Sequence, residues 1–397
     1  MGALSHIRIC DFTGQLAGAG ATRVLAAFGA QVIRIEDPVT QGRWDILRDM
    51  EPFVDDRRGI EFGGGFQNHN VEKLGITLNL RTERGRELLA DLVRVSDVVT
   101  ENFAAGVLAR LGFPYERLRE IRDDVIYVSN CGFGHRGPYA AFKTWGPIVQ
   151  SCCGLTFTSG LPDMPPAGWG YSYMDHHGGN IMAIAILCAL VHRQRTGEGQ
   201  HVDSALAYTA MTLQSPFMQL YEGKRWDEPR GQETLGSGPL HRAYQARDGW
   251  FFLGARTGDL PRLAKLDGLS EIASLEGATL ERALEQHFRT QTVDHWVPRC
   301  IAAGLGAHRC ILDLPELMQD PWVVEHELSA TREHDDIGLV TTCGPAPRLS
   351  RTPVHIGKPA PKPGSDVRSI LDEIGMADRL ESLIARGVVR VDGVLAG

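Results

Sequence analysis

The chain has 397 residues, of which 43% are hydrophobic and 23% are charged. These proportions are typical of a globular protein and exclude a disordered tail or a fibrous repeat. A formal net charge of -8 disfavours nucleic acid as the main partner, since nucleic-acid-binding domains are usually basic. Glycine accounts for 45 residues, more than the usual share of about 7%, so the backbone must turn tightly or lie close to a ligand at several places.

The cysteines and the apolar runs predict a protein of a reducing, aqueous compartment. Eight cysteines occur without a C-x-x-C spacing, so we expect free thiols rather than a zinc or redox site. The first residues lack the basic and apolar regions of a secretory signal. The longest apolar run, residues 181–191, is shorter than the roughly 20 residues needed to cross a bilayer. We therefore expect a cytoplasmic protein with no membrane partner.

The first 36 residues have the pattern of a β-α-β unit. Buried strands are predicted at residues 6–12 and 31–36, with a helix of small residues at 17–28 between them. Gly18 and Gly20 partly match the G-x-G-x-x-G fingerprint, which keeps an NAD-dependent dehydrogenase open as an alternative. Arg23 replaces the third glycine, which normally permits close packing of helix on strand. The pattern therefore favours a doubly wound sheet without a nicotinamide cofactor.

A second α/β unit follows, with a helix predicted at residues 82–95. Two of its predicted strands, residues 97–100 and 125–129, lead into the glycine-containing loops 101–106 and 131–138. Such loops at the ends of strands are where α/β sheets bind ligands.

The second half of the chain changes character after residue 221. A long apolar helix, residues 179–195, ends before Gly197. We then expect, in order, a charged linker at 222–233, a β-hairpin around Asp248-Gly249, a helical region at 260–317, a proline-rich strap at 345–363 and a helix at 365–384. The predicted fold class is α/β, with a Rossmann-like large domain over residues 1–221, a smaller α+β domain over 222–335 and a return segment over 336–397 that packs on the large domain.

Asp175 stands just before the predicted apolar helix and close to Gly178-Gly179. A carboxylate in this place can cap the helix by accepting backbone hydrogen bonds. It can equally act as a nucleophile, because the helix dipole keeps it ionised and the glycines allow a substrate to approach closely. The pattern alone leaves both roles open.

The histidines beside Asp175 do not predict a metal site. His176 and His177 are adjacent and cannot both point at one ion, and the sequence contains no H-x-x-x-H or H-E-x-x-H. The G-x-S-x-G turn of serine hydrolases is also missing. We therefore expect neither a bound metal nor a serine nucleophile.

Six motifs, in order along residues 7–387, resemble those of the family III CoA-transferases, the CaiB/BaiF family that includes the formyl-CoA transferases. They are Phe12-Thr13 with the small-residue helix, Asn70 to Lys73 before residues 76–81, residues 98–103 with Gly106, Gly132 to Gly134 with Gly137-Pro138-Tyr139, Asp175 with Gly178-Gly179, and residues 192–203. Each motif alone is weak, but six in the same order make the resemblance strong.

The resemblance implies a mechanism and a set of ligands. In this family an aspartate, here Asp175, attacks an acyl-CoA thioester to form a mixed anhydride, and the released CoA then forms an aspartyl-CoA thioester that the acceptor acid resolves. Coenzyme A enters as the acyl-CoA substrate, with a carboxylic acid as acceptor. We expect succinyl-CoA as the donor and an arylsuccinate-type or other dicarboxylic acid as the acceptor. Family members form interlaced dimers, so the partner is expected to be an identical chain or a homologous subunit.

The resemblance also assigns contacts with CoA. Pro38 stands where some members have a phosphate-binding arginine, so Arg34 or Arg43 is expected to replace it, while Arg81, Arg110 and Lys143 are suited to bind phosphates. The residues expected at the cofactor are Leu16, Ala17, Arg34, Leu78 to Arg81, Asn102, Phe103, Ala104, Arg110 and Lys143. Gly236 and Gly238 resemble the family's glycine loop that covers the site, or alternatively form only the entrance of a hairpin.

Two alternatives within the same fold stay open. The α-methylacyl-CoA racemases pair the aspartate with a histidine for two-base proton exchange. That histidine is absent around Trp145, although His135 lies ten residues earlier and could replace it. A catalytically silent subunit is the other alternative, against which the retained Asp175 argues.

Aromatic residues cluster in sequence around the proposed nucleophile. They are Trp145, Trp169, Tyr171 and Tyr173. They could line a pocket for a bulky or aromatic acid, or belong to the core.

Overall fold

The computed structural model describes residues 2–40, 42–161, 163–166, 168, 173–215, 217–225 and 235–391. The chain divides into two compact units. The large unit comprises Met1–Cys153, Gly170–Gln219 and Pro321–Gly397, and the small unit comprises Gly154–Trp169 and Leu220–Asp320. The chain thus returns to the large unit at Pro321, before the expected boundary at residue 336.

The strands of the described residues form three sheets. In chain order they are β1 (Arg8–Phe12), β2 (Gln31–Glu36), β3 (Leu74–Thr77), β4 (Val98–Glu101), β5 (Ile126–Cys131), β6 (His201–Ala205), β7 (Gly236–Gly238), β8 (His241–Gln245), β9 (Trp250–Gly254), β10 (Gly306–Arg309), β11 (Ser329–His334) and β12 (Gly338–Cys343).

The helices connect and cover these sheets. In chain order they are α1 (Ala17–Ala27), α2 (Gly64–His69), α3 (Glu83–Arg94), α4 (Val107–Arg110), α5 (Tyr115–Ile121), α6 (Gly146–Cys152), α7 (Leu155–Thr158), α8 (Tyr173–Thr196), α9 (Leu206–Leu213), α10 (Leu260–Leu263), α11 (Gly277–Phe288), α12 (Val293–Ala302), α13 (Leu314–Gln319), α14 (Pro321–Glu325), α15 (Val367–Glu373) and α16 (Leu380–Ala385). Short 3-10 turns lie at Ile46–Asp49, Val54–Asp56, Thr257–Asp259, Ser270–Ser274 and Ala377–Arg379.

The large unit is built on a six-stranded sheet in the order β3-β2-β1-β4-β5-β6. All its strand pairs are parallel, which confirms the predicted α/β class and the Rossmann-like strand order. The order reverses between β1 and β4. In open α/β sheets ligands bind outside the carboxyl ends of the strands at such a switch point, so the loops after β1 and β4 are the first place to look for a site.

Alternate side chains of the sheet face two different helical layers. Ile126 and Val128 of β5 pack in a core with Met182 of α8, whereas Tyr127 between them belongs to a second core with Leu88 of α3 and Leu118 of α5. We call the two sides the α8 face and the α3 face. The C-terminal helices α15 and α16 also join the core of the α3 face.

Helix α8 begins earlier than the sequence pattern predicted, at Tyr173. Among the described residues it is the one helix long and apolar enough to cross a membrane by length and composition. It packs on the sheet through Met182 and Ile186, both fully buried. In this fold it is therefore a core helix of the large unit.

The small unit carries the antiparallel sheet β10-β9-β8-β7. The predicted hairpin is confirmed, since β8 and β9 pair on either side of Asp248-Gly249. The helical prediction for residues 260–317 is only partly right, because Gly304 has a positive φ that ends α12, and the chain then forms β10 against β9.

Candidate active site

The start of α8 lies directly against the start of α1. A Cβ atom at Gly179 would lie only 2.5 Å from the carbonyl oxygen of Ala17. A side chain at this position would therefore push the two helices apart, and glycine is what permits the close crossing. The structure thus brings α8 beside Ala17, one of the predicted CoA contacts.

Asp175 lies one helical turn before Gly179 on the same face of α8. Its side chain is half-buried, and it belongs to the first turn of the helix, where the helix dipole favours the ionised carboxylate. The helix begins earlier than the sequence pattern predicted, at Tyr173, so Asp175 lies inside its first turn rather than before it. A half-buried carboxylate in the first turn of a helix is a position from which a nucleophile can reach a substrate.

Asn102 ties the loop after β4 to the loop after β1. Its side-chain amide donates to the carbonyl oxygen of Gly14 at 2.9 Å, and its side-chain oxygen accepts from the Gly14 amide at 2.8 Å. The next residue, Phe103, packs its ring against Trp44 with centroids 5.5 Å apart. These contacts span the switch point and hold together two of the segments predicted to bind CoA.

A buried carboxylate, Asp11, holds the loop after β1 in place through hydrogen bonds. It accepts hydrogen bonds from the Thr13 amide at 3.0 Å, the Thr22 hydroxyl at 2.8 Å and the Thr100 hydroxyl at 3.0 Å, and Lys73 Nζ lies 3.2 Å away. Burial alone would raise the pKa of Asp11, but Lys73 and the bonds from Thr13 outweigh it and hold that pKa below its usual range. The carboxylate thus stays charged and keeps the loop in one conformation.

Arg34 belongs to the same buried network. The prediction that it binds a CoA phosphate is therefore corrected. Its guanidinium donates to Asp45 at 2.7 Å and to the carbonyl oxygen of Thr13 at 2.6 Å, and the residue has no exposed surface. It stabilises the loop after β1 and is enclosed by the protein, so a phosphate at the surface does not reach it. Arg43, the other predicted replacement, is exposed.

The other predicted CoA residues follow the carboxyl ends of β1, β3, β4 and β5 in this structure. Leu16, Ala17 and Leu78 are buried, Asn102 and Phe103 are half-buried, and Ala104, Arg110 and Lys143 are exposed. Arg81 has a side chain that is 68% exposed and pairs with Asp37 at 3.4 Å. The basic residues therefore lie at the surface, where a phosphate can reach them.

Gly236 and Gly238 form strand β7 of the small unit and have φ values of 145° and 157°. A Cβ atom at Gly236 would lie 2.2 Å from the carbonyl oxygen of His241, so glycine is needed for pairing with β8. The two glycines therefore lie in a strand that pairs antiparallel with β8, and the role of this loop as a cover stays a prediction.

His135 lies on the opposite side of the sheet from α8. Its Nδ1 atom is 3.1 Å from Asp203 and 3.3 Å from the hydroxyl of Ser129. The side chain of Asn130, between Ser129 and Cys131 on β5, instead faces α8 and the carbonyl oxygen of Gly178. His135 is thus on the α3 face, whereas Asp175 belongs to the helix that covers the opposite face, which argues against a two-base pair between them.

Sequence reasoning missed two acidic residues near the carboxyl ends of strands, Asp11, the last but one residue of β1, and Glu101, the last residue of β4. The available signal was a carboxylate at the carboxyl end of a predicted strand, next to a predicted ligand loop.

The structure describes no group of three or more potential metal-ligating side chains in the parts of the chain it covers. Of the aromatic residues near Asp175, Trp145 and Tyr173 are about half exposed, while Trp169 and Tyr171 lie outside the described residues.

Comparison with known proteins gives a consistent result over the whole chain. A family model described as CoA-transferase family III matches residues 4–367. Formyl-CoA:oxalate CoA-transferase of Streptomyces avermitilis is 32% identical over 418 residues, covering 98% of this chain and 99% of that enzyme. Succinate–glutarate CoA-transferase of Agrobacterium fabrum is 31% identical over 393 residues, covering 95% and 96%. The crystal structure of a CAIB/BAIF family protein from Brucella suis matches with a TM-score of 0.82 at 28% identity, covering 94% and 99%.

Proposed function

The chain belongs to CoA-transferase family III, whose members move CoA between acyl-CoAs and carboxylic acids, and we propose that Asp175 is its nucleophile. One observation carries this proposal. Asp175 is half-buried in the first turn of α8, and the Gly179–Ala17 contact sets that turn beside the loops at the switch point of the sheet. The carboxylate is thus next to the segments expected to hold the thioester of an acyl-CoA.

In the proposed reaction the carboxylate of Asp175 attacks the thioester carbonyl carbon, and the C–S bond breaks to release CoA as a thiolate. The thiolate then attacks the aspartyl carbonyl of the mixed anhydride, which releases the donor acid as a carboxylate and leaves an aspartyl-CoA thioester. The acceptor carboxylate repeats the two steps in reverse, which forms its own CoA thioester and regenerates Asp175.

We propose a dicarboxylic acid as the acceptor and succinyl-CoA as the donor. One of the two relatives described above is named for formyl-CoA and oxalate and the other for succinate and glutarate, so each name includes a dicarboxylate. Tyr173 and Trp145 are large, half-exposed aromatic residues near the nucleophile in sequence, which suits an acid with an apolar or aromatic body. We propose Arg81, Arg110 and Lys143 as ligands of the CoA phosphates, because charged hydrogen bonds to phosphate are strong.

An interlaced dimer is part of the proposal. Apolar side chains on the outer face of α8 are exposed in the single chain, namely Ile181, Ile184, Leu187 and Val191. Exposed apolar patches of this kind mark protein interfaces.

The cysteines are free thiols, which fits the reducing conditions of the cytoplasm.

The test is direct trapping of the acyl-enzyme. With succinyl-CoA present, hydroxylamine should convert Asp175 to a hydroxamate, detected as a mass change on its peptide, and Asp175→Ala should lose CoA transfer by at least about a thousandfold. Asn180→Ala, at an exposed position of the same helix, is the matched control and should keep wild-type turnover. Full turnover by Asp175→Ala, or modification at another residue, would contradict the mechanism.

The substrates are tested by a screen of acceptor acids. Wild-type protein is incubated with succinyl-CoA and one acid at a time, and new CoA thioesters are detected by mass spectrometry. Dicarboxylic acids should give the highest kcat/KM. Preference for a simple monocarboxylic acid of the same length would contradict the assignment.

A further inference from the structure

Glu101 ends strand β4 and closes the turn that begins the loop after it. One carboxylate oxygen accepts a hydrogen bond from the backbone amide of Phe103 at 2.6 Å. The other accepts from the hydroxyl of Tyr127, on the neighbouring strand β5, at 2.8 Å. Glu101 is only 1% exposed, so its carboxylate is held inside the protein by these two donors.

His135 lies between Glu101 of β4 and Asp203 of β6. Its Nδ1 atom lies 3.1 Å from Asp203 on β6, and its Nε2 atom lies 3.8 Å from Glu101. The Nε2 atom is buried and makes no hydrogen bond among the described residues. Two carboxylates therefore flank one imidazole. Burial raises the pKa of the Glu101 carboxyl, although Tyr127, the Phe103 amide and His135 all act to lower it.

The turn that Glu101 closes carries Asn102 and Phe103, the residues whose contacts span the switch point. Asn102 follows Glu101 directly and makes the two hydrogen bonds to Gly14. Phe103, whose amide Glu101 binds, packs against the ring of Trp44. A change in the side chain of Glu101 would thus alter the backbone at Asn102 and Phe103 without touching Asp175, which lies on the other face of the sheet.

We propose that Glu101 is a positioning residue for coenzyme A, which acts with Tyr127 and His135 to hold Asn102 and Phe103 in the conformation that binds the cofactor. This proposal rests on the proposed function. It differs from a purely structural role in what it predicts, because a loop that contacts CoA but not the acceptor acid should change the two affinities unequally.

A graded series of variants tests the proposal. Glu101→Gln leaves one acceptor oxygen for two donors, and Tyr127→Phe removes one of the donors, so each should weaken CoA binding about threefold, the effect of one hydrogen bond. Glu101→Ala loses both bonds and should weaken it about tenfold or more. The Kd of CoA itself is measured by calorimetry, and steady-state kinetics should show the same rise in KM for acyl-CoA, with the KM of the acid unchanged.

Tyr115→Phe is the control on the same face. Its ring stacks on Tyr127 with centroids 6.3 Å apart, and its hydroxyl has no hydrogen-bond partner among the described residues. It should keep the wild-type Kd. The melting temperature of each variant identifies any loss of fold, and the milder Glu101→Gln and Tyr127→Phe variants keep the test decisive if Glu101→Ala fails to fold.

The outcomes separate this role from the proposed function. Folded Glu101→Gln and Tyr127→Phe variants that both bind CoA as tightly as the wild type would overturn the positioning role, as would an equal rise in the KM values of acyl-CoA and acid. A wild-type protein that binds CoA but transfers none overturns the proposed function alone, and the ranking of the variants in CoA binding still decides the role of Glu101. A wild-type protein that binds no CoA overturns both.

Discussion

The two faces of the parallel sheet carry different kinds of carboxylate at the same edge. On the α8 face, Asp11 is surrounded by Lys73 and three threonines, and a second, half-buried carboxylate, Asp175, begins the covering helix. On the α3 face, Glu101 has two donors and an imidazole at 3.8 Å. The α8 face therefore combines a buried support with the proposed nucleophile, whereas the carboxylate on the α3 face binds the backbone of the loop after β4.

Side-chain parity explains the difference. Successive residues of a strand point to opposite faces, so Thr100 supports Asp11 on one face while Glu101, its neighbour, belongs to the other. Asn130 and Ser129 divide in the same way on β5. Adjacent residues of one motif can therefore serve separate layers, and their roles are separable by mutation.

Asp11→Asn should give the largest effect on stability. It leaves Lys73 buried without its counter-charge, which typically costs about 3–5 kcal/mol in the free energy of unfolding, measured by urea denaturation. Asp37→Asn is the matched control, because it removes the exposed pair with Arg81 and should cost less than about 1 kcal/mol. Equal losses in the two variants would mean that the Asp11 network is not a rigid support.

The pH dependence of stability should report on the same carboxylate. The folded-state pKa of Asp11 is lowered, so its contribution is present above its unfolded value of about 4 and is lost as the pH falls through the folded value. The free energy of unfolding of the wild type should therefore fall on acidification below about pH 4 more steeply than that of Asp11→Asn. If the free energies of unfolding of the wild type and of Asp11→Asn fall equally steeply on acidification, the lowered pKa of Asp11 is contradicted.

Gly179→Ala should give an intermediate effect and act on the reactive group of the α8 face. Its methyl group would overlap the carbonyl of Ala17, which should cost about 1–3 kcal/mol and lower kcat by displacing Asp175. Gly258→Ala is the control, since a Cβ atom there meets nothing within 4 Å. A wild-type kcat for Gly179→Ala would show that the α1–α8 crossing does not set the position of Asp175.

The smallest expected effect is on proton exchange at the α-carbon of an acyl-CoA, for which we expect no activity. Because His135 lies on the α3 face, no two-base pair with Asp175 forms, and wild-type protein should not introduce deuterium at the α-carbon of a 2-methylacyl-CoA in heavy water. Mass spectrometry of the recovered thioester measures this. Exchange that depends on both Asp175 and His135 would show that the two faces cooperate, and would favour the racemase alternative.

Much of the fold was predictable because it depends on local pattern. The strands ending near Phe12, Glu36 and Thr100 and the crossover helix α1 follow from short apolar runs and turn residues. The break-up of residues 260–317 was not predictable in this way, since β10 forms only because β9 offers it an open edge. The early start of α8 was also missed, and with it the position of Asp175 inside the helix.

The candidate site divides along the same line. Residue order alone predicted Asp175 as the nucleophile and the loops after the strands as the ligand site, because Asp175 and Gly178-Gly179 are neighbours in sequence. Only the tertiary structure showed that Arg34 is enclosed by Asp45 and Thr13, that His135 is on the wrong face for a base, and that Glu101 holds the loop of Asn102. These facts depend on which residues distant in sequence meet across parallel strands, and no local pattern encodes that.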